Sequence, residues 1–359
     1  MGHTRHMNDA ARRLTQLLGT QWPLIQAPMA GSQGSALAVA VSNAGGLGSQ
    51  PAAMLGAEAL AAELQKIRAA TSGPFNVNFF CHTPPEPDAA AEARWRAALA
   101  PYYAEFGVDP AGIAAGPGRK PFNAEAADVL EGFAPRVVSF HFGLPEPALL
   151  ARVKRSGAVV LSSATTVEEG LWLQAHGTDA VIAQGLEAGG HRGHFLSPDL
   201  TRQMGTFALV PQLVRALSVP VIAAGGIAGP EGVRAALALG AAGVQVGTAY
   251  LSCPEATTSA LHRAALASAE ALATALTNLF TGRPARGIVN RLLRERGPMS
   301  SEAPAFPLAT AANAPLRAAA EARGSSDFSP LWAGQNAAGC RAMPAAELTR
   351  ELSGGFAGA

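Results

Sequence analysis

The stretch VPVIAAGGIAGPEGVRAALALGAAGVQVGTAY, residues 219–250, decides the fold. It opens on an unbroken apolar run that breaks at Gly225 and Gly226. A helical pattern follows over 229–240, entered through Pro230 and Glu231 and closed by Gly240, as helix termini prefer. A second apolar run, 243–250, carries Gly247 and Thr248 at its end. Continuous apolar runs suit strands covered on both faces, whereas a half-exposed strand alternates. Strand, helix and strand in that order make a βαβ unit with two parallel strands.

The unit repeats toward the N-terminus. Apolar runs fall at 22–29 (WPLIQAPM), 45–50 (GGLGSQ), 75–80 (FNVNFF), 137–142 (VVSFHF), 158–165 (AVVLSSAT) and 179–185 (DAVIAQG). Helical patterns stand between them at 35–45, 56–71, 145–157 and 166–177. Eight β units over roughly 230 residues predict an α/β chain folded as a TIM (β/α)₈ barrel. The rival is an open Rossmann-like sheet. It is disfavoured because no G-x-G-x-x-G follows the first strand.

The expected barrel spans 15–254, and two regions depart from the repeat. Residues 83–132, rich in Pro and Ala, read as an enlarged connection. Beyond 254 the pattern turns Ala/Leu-rich, and EATTSALHRAALASAEALATALTNLFTG (255–282) predicts a long helix or helix pair. That segment opens a smaller, mostly helical domain at 255–325, lying over one end of the barrel. Residues 326–359 are expected to return to the barrel with a final helix.

Composition narrows the function. The net charge is +1 and no block of like charge occurs, so neither nucleic acid nor an anionic membrane is an expected partner. Cys81, Cys253 and Cys340 are far apart and form no CxxC pair, which disfavours a disulfide framework and a structural zinc. A reducing cytoplasm is the simplest setting. No apolar run approaches the roughly 20 residues that span a bilayer. The opening MGHTRHMNDAARR lacks the apolar core of a signal peptide.

A barrel presents reactive groups on the loops after its strands, with phosphate commonly held after the seventh and eighth. Here those loops offer the backbone N–H groups of Gly225, Gly226, Ile227, Gly247 and Thr248, plus a hydroxyl. The plainer alternative is that the glycines make tight turns. Asn78, Gln184 and Gln245 place carboxamides at three strand ends, which suits a flat neutral ligand such as a flavin ring. Asn78 has the alternative of capping its own loop. His141 in SFHFG is either a satisfied core histidine or an active-site group facing His191. In EAGGHRGHF (187–195), Gly189 and Gly190 let backbone pass close under a ligand. His191 then projects as base or proton donor. His191, His194 and Glu187 are too few for zinc, so no metal is expected. Arg192 reads as a salt-bridge partner or a guide for an anionic substrate. Met29 is core packing or a soft contact beside a ring.

QAPMAG, NAGGLGS, FNVNFF, SFHFGLP, QGLEAGGHRG, IAAGGI and QVGTAYL, in that order, resemble the nitronate monooxygenases, formerly called 2-nitropropane dioxygenases. FTGRPARGIVNRL (280–292) and SPLWAGQ (329–335) resemble the bacterial propionate 3-nitronate branch. The resemblance spans residues 20 to 340 and implies an FMN-binding barrel under a smaller helical domain. It implies FMN contacts at Met29, Asn78, Gln184, Gly189, Gly226, Gln245, Gly247 and Thr248, with Trp332 or Gln335 touching the flavin. It places the catalytic histidine at His191, with His141 as its neighbour. The implied reaction is oxidative denitrification of a nitronate with O₂ through a flavin semiquinone, by a monomer or homodimer. One departure stands out. Such relatives are expected to line the substrate pocket with tyrosines, and this chain has only Tyr102, Tyr103 and Tyr250. The competing expectation is an NAD(P)H-dependent flavin reductase, of quinone-reductase or enoyl-ACP-reductase type, on the same barrel and a similar GGH loop.

Overall fold

Helix α1 (Asp9–Leu18) starts where the Asn8 side chain accepts the Ala11 N–H at 2.8 Å. The computed structural model describes residues 8–113 and 118–357. After α1 come β1 (Leu24–Gln26), α2 (Ser35–Asn43), β2 (Gly48–Pro51), α3 (Ala57–Ala70) and β3 (Phe75–Phe80). Next are α4 (Ala89–Phe106), α5 (Ala124–Phe133), β4 (Val137–His141), α6 (Pro147–Arg155), β5 (Val159–Ala164), α7 (Val167–Ala175) and β6 (Ala180–Gln184). The two-residue β7 (Gly190–His191) precedes α8 (Thr206–Ala216), β8 (Val221–Ala224), α9 (Pro230–Ala238) and β9 (Gly243–Val246). The remainder holds α10 (Ala260–Leu266), β10 (Thr274–Thr277), β11 (Ala285–Ile288), α11 (Arg291–Arg296), α12 (Ala309–Glu321) and α13 (Ala345–Ser353).

Eight strands pair in parallel in the order β1-β9-β8-β6-β5-β4-β3-β2. Leu47 closes the ring: its N–H donates to Leu24 O at 2.8 Å, and its carbonyl accepts from Gln26 N at 3.0 Å. The TIM barrel expected from the apolar runs is the fold.

Strand pleating explains why those runs are continuous. Ile25, Leu161, Ile182 and Ile222 point into the barrel, and Leu14 and Leu18 of α1 plug its lower end. Leu24, Ala183, Val221, Ala223 and Val244 point outward, under Leu37 and Val41 of α2, Leu209 and Leu213 of α8 and Val233 of α9. Both faces are dry, so each fully buried Leu or Ile contributes about 1.5–3 kcal/mol. Leu348 and Leu352 bring α13 into the same outer layer.

The region after residue 254 departs from the helical expectation. The expected long helix is only α10, and Thr274–Thr277 is a strand. β10 pairs antiparallel with β11, which pairs antiparallel with β7 in the His191 loop. Helix propensity of Ala and Leu is a weak preference, and the ladder to β11 overrides it at the β-branched Thr274 and Thr277. The appendage is mostly helical through α10, α11 and α12, but it carries the β10–β11 hairpin in place of the expected long helix. The enlarged connection also divides. α5 packs beside α3 and α6 as a barrel helix. α4 leaves the barrel, burying Trp95, Leu99 and Tyr103 against Leu279, Leu292, Leu316 and Phe328. The Tyr103 hydroxyl fixes that contact by donating to Ala312 O at 2.8 Å.

Among the described residues, no helix is long and apolar enough to cross a membrane, and no group of three His, Cys, Asp or Glu could hold a metal ion. The three cysteines are free thiols.

Candidate active site

A cavity opens at the carboxyl ends of the barrel strands and encloses ≈ 1330 Å³ of atom-free space, part of it open to solvent. It brings together Met29, Asn78, His141, Gln184, Gly189, Gly190, His191, Gly225, Gly226, Gln245, Gly247, Thr248 and Trp332. Those residues are scattered over more than 300 positions of the sequence, and the strand ends gather them. Gln335 stands outside: it is exposed, and its backbone N–H donates to Glu187 O at 2.9 Å.

His191 is half-buried on β7. Its Nε2 lies 2.9 Å from Thr281 Oγ1, and Thr281 also donates to Arg283 O at 3.4 Å. A hydroxyl that donates to a carbonyl is left to accept from Nε2–H, so Nδ1 carries the lone pair. The rings of Phe306 (5.3 Å), Trp332 (5.6 Å), Phe80 (6.1 Å) and Phe142 (6.1 Å) surround it. Burial, and then the positive charge of Arg119, hold its pKa well below the usual histidine value, so it is neutral at pH 7.

His141 faces the loop rather than free space. Its Nε2 lies 3.1 Å from the His191 carbonyl and its Nδ1 3.0 Å from Ser163 Oγ. The carbonyl can only accept, so Nε2 bears the proton and Ser163 donates to Nδ1. Burial lowers its pKa to about 4. Gln184 holds the same loop. Its Nε2 donates to His191 O at 2.9 Å, and its Oε1 accepts from Gly193 N at 2.7 Å. Its carboxamide is therefore largely committed to protein, unlike the free carboxamide pictured from the sequence.

Arg192 departs further from expectation. It is fully buried and points away from the cavity. It donates to Gln184 O and Gly185 O, both at 2.7 Å, and to Gln203 Oε1 at 2.8 Å. Neither a salt bridge nor a substrate guide, it satisfies the carbonyls that end β6. His194 is likewise buried, with its pKa lowered to about 3 chiefly by burial.

The floor after β8 and β9 is a cradle. Gly225 and Gly226 take φ of +119° and +76°, a conformation that side chains resist. Among the described residues, the N–H groups of Gly226, Ile227 and Gly247 donate to no protein acceptor. Gly226 and Ile227 sit just before the start of α9 and Gly247 follows the end of β9, an arrangement suited to an anion. Thr248 Oγ1 accepts from Gly334 N at 2.9 Å and keeps its own proton to donate. Gln245 Oε1 is buried without a partner, an acceptor waiting for a donor from the cavity. Asn78 Nδ2 is held by Ser139 Oγ at 2.9 Å. Gly189 has no room for a side chain: a Cβ there would lie 2.6 Å from Ala333 C and Gly334 N. Met29 is fixed through its N–H to Gln33 Oε1 at 2.8 Å.

Three site features escaped the sequence reading. Thr281 lay inside FTGRPARG without a visible role. Phe80, which lines the cavity, and Phe142 and Phe306 pack around the His191 ring, where tyrosines were expected. Phe142 adopts φ +71°, costly for an aromatic residue, while its ring takes the Arg283 guanidinium at 4.0 Å. The tyrosines lie elsewhere: Tyr102 bonds Glu295, Tyr103 bonds Ala312 and Tyr250 bonds Thr349. The third feature is Arg119, which lines the cavity from the enlarged connection.

A family model described as nitronate monooxygenase matches residues 11–355. The chain is 45% identical over 349 residues to the nitronate monooxygenase of Pseudomonas aeruginosa, covering 95% of this chain and 97% of that one. It is 41% identical over 355 residues to the nitronate monooxygenase of Paraburkholderia phytofirmans, covering 95% and 94%. Among solved structures it is similar to nitroalkane oxidase from Streptomyces ansochromogenes, with TM-score 0.87, 39% identity, and 96% and 97% of the two chains covered. It is also similar to FabK from Thermotoga maritima, with TM-score 0.73, 26% identity, and 96% and 95% covered.

Proposed function

The chain belongs to the nitronate monooxygenase family of flavin-dependent oxidoreductases, and on that premise we propose that it binds FMN and oxidatively denitrifies alkyl nitronates with O₂, propionate 3-nitronate among them. The observation that carries this reading is the pairing of a neutral, oriented His191 with a floor of unpaired N–H groups in one cavity. FMN fits that lining. The N–H groups of Gly226, Ile227 and Gly247, with the Thr248 hydroxyl, would hold its phosphate. The orphaned Gln245 Oε1 would accept from the ring edge, and Asn78, Gln184, Met29, Gly189, Gly190, Gly225 and Trp332 would border it. When bound, FMN supplies oxidation of the nitronate and delivery of electrons to O₂.

The protein's own part is to bind, orient and shield. The rings of Phe80, Phe142 and Phe306 give the His191 imidazole an apolar surround, which would strengthen its polar contacts with a bound substrate. His191, held neutral by burial and by Arg119, presents Nδ1 as a base for the α-proton of a neutral nitroalkane. A bound nitronate anion offsets the same cations and raises the proton affinity of His191. His141 and Gln184 both grip the His191 carbonyl, so they are positioning residues for the imidazole.

The decisive experiment is anaerobic mixing of the yellow holoenzyme with propionate 3-nitronate or with NADH. The nitronate is expected to bleach the flavin, and NADH to leave it oxidised. The reverse result replaces this reading with the NAD(P)H-dependent reductase. His191→Asn is expected to keep the flavin and lose most turnover, about 10²- to 10⁴-fold.

A further inference from the structure

Arg119 is the one charged side chain among the described residues that line the cavity. Its guanidinium carbon lies 5.6 Å from the centroid of Phe306, and the His191 ring lies 5.3 Å from that same centroid. Phe306 is therefore a wall shared by the imidazole and the cation. One N–H of Arg119 donates to the neutral Thr310 Oγ1 at 3.2 Å. Among the described residues, no carboxylate pairs with it. The other cations nearby are engaged with protein. Arg192 is saturated by carbonyls and Gln203. Arg283 donates to Arg192 O and His194 O and lies over Phe142. Arg286 donates to Leu186 O and to Thr274.

A guanidinium held largely out of water with one neutral acceptor is poorly compensated, and a planar oxyanion is the group its fork fits. Burial alone lowers its pKa, with no acidic neighbour acting against that shift. Position separates two possible anions, the reacting nitronate and a carboxylate tail. Arg119 and Met54 also line an adjoining cavity walled by Pro307, Leu308 and Phe122, away from the glycine cradle. Arg119 stands where the substrate tail would lie, while His191 and the glycines border the reacting end.

The geometry points to Arg119 as the specificity residue that binds a carboxylate on the substrate, selecting carboxylated nitronates over plain alkyl nitronates. This rests on the nitronate reading above. In propionate 3-nitronate a single methylene separates carboxylate from nitronate carbon, so both ends lie within the one cavity that Arg119 and His191 line.

The test compares kcat/KM for propionate 3-nitronate and for propyl-1-nitronate in the wild-type holoenzyme, Arg119→Gln and Arg119→Lys. Replacing a charge-assisted bond by a weak one is expected to lower the ratio of the two constants about ten- to hundredfold in Arg119→Gln. Arg119→Lys should recover part of it. Equal loss for both substrates, or no loss for either, overturns the assignment. If the wild type oxidises neither nitronate, the functional reading fails separately. Carboxylate recognition is then decided by titrating flavin-loaded protein with 3-nitropropionate and 1-nitropropane. Arg119→Gln should weaken only the first, and unchanged 3-nitropropionate binding overturns the proposal. Should Arg119→Gln fail to fold, the same titration on Arg119→Lys gives the answer.

Discussion

Arg192→Met separates a structural cation from a substrate guide. Methionine matches the arginine stem in length and fills the buried volume without a donor. It would leave Gln184 O and Gln203 Oε1 without the guanidinium N–H groups at a buried site, while Gly185 O would keep only the Ala188 N–H at 3.1 Å. Each unsatisfied buried acceptor costs about 1–3 kcal/mol. Removing the guanidinium also removes its own desolvation penalty, which offsets part of that loss. A net destabilisation of about 2–4 kcal/mol follows, lowering Tm by about 5–10 °C at a few degrees per kcal/mol for a large domain. The damage is local as well. Gln184 and Gly185 lead into the loop that Gln184 itself pins at His191 and Gly193, so flavin content after gel filtration should drop with Tm. The assay is paired thermal melts followed by far-ultraviolet circular dichroism and by flavin fluorescence. A guide for an anionic substrate predicts something different: an unchanged melt and a raised KM that depends on salt. A variant that melts with the wild type and shows only that KM effect would refute the structural role.

Thr281→Val removes the hydroxyl that orients the His191 ring while keeping its shape. kcat should fall about tenfold, the worth of one hydrogen bond, with flavin content preserved; an unaltered kcat means the contact is idle. Acid stability should follow the buried histidines. His141, His82 and His262 titrate at about 4 in the folded chain, chiefly through burial, against an ordinary value of 6.5. Between those values the unfolded chain binds more protons, so each such group removes about 1.4 kcal/mol of stability per pH unit as pH falls from 6.5 toward 4. Their contribution is fully present above 6.5, and a Tm that stays flat from pH 7 to 4.5 contradicts this. Gly189→Ala drives a Cβ into Ala333 and Gly334, so the Trp332 turn must move and FMN should be retained less well, as read from the A450/A280 ratio. Equal flavin retention argues that the turn yields freely.

The barrel was legible because its signal is local and repeated. Runs such as DAVIAQG and VPVIAAGG report burial on two faces, and each strand carries its own copy of that signal. The cradle glycines and His191 were legible for a related reason, since a barrel fixes in advance where strand-end residues gather. Arg192 was misjudged and Arg119 passed over because charge alone does not say which way a side chain points. Next to His191 in sequence, Arg192 leaves the cavity, since adjacent residues of an extended segment project to opposite faces. Arg119, 72 positions away from His191 and in a Pro/Ala-rich stretch without periodicity, enters it.

The misread helix at 255–282 has the same origin and the larger consequence. Ala and Leu favour a helix when only neighbours count, but Thr274–Thr277 finds β11, and β11 finds Gly190–His191. The His191 loop is thus an edge strand of the cap sheet while Gln184 and His141 tie its carbonyl to the barrel. Arg192 N–H donates to Pro284 O at 2.8 Å, and Thr281, four residues before β11, fixes the His191 ring. Backbone of His191 belongs to the barrel and the cap sheet together, and its ring to the cap. A shift of β11 must therefore change the imidazole geometry, whereas displacement of α4 or α12 reaches it only through the packed core around Phe280 and Trp332. Placement of the imidazole depends on the β10–β11 hairpin more directly than on the cap helices.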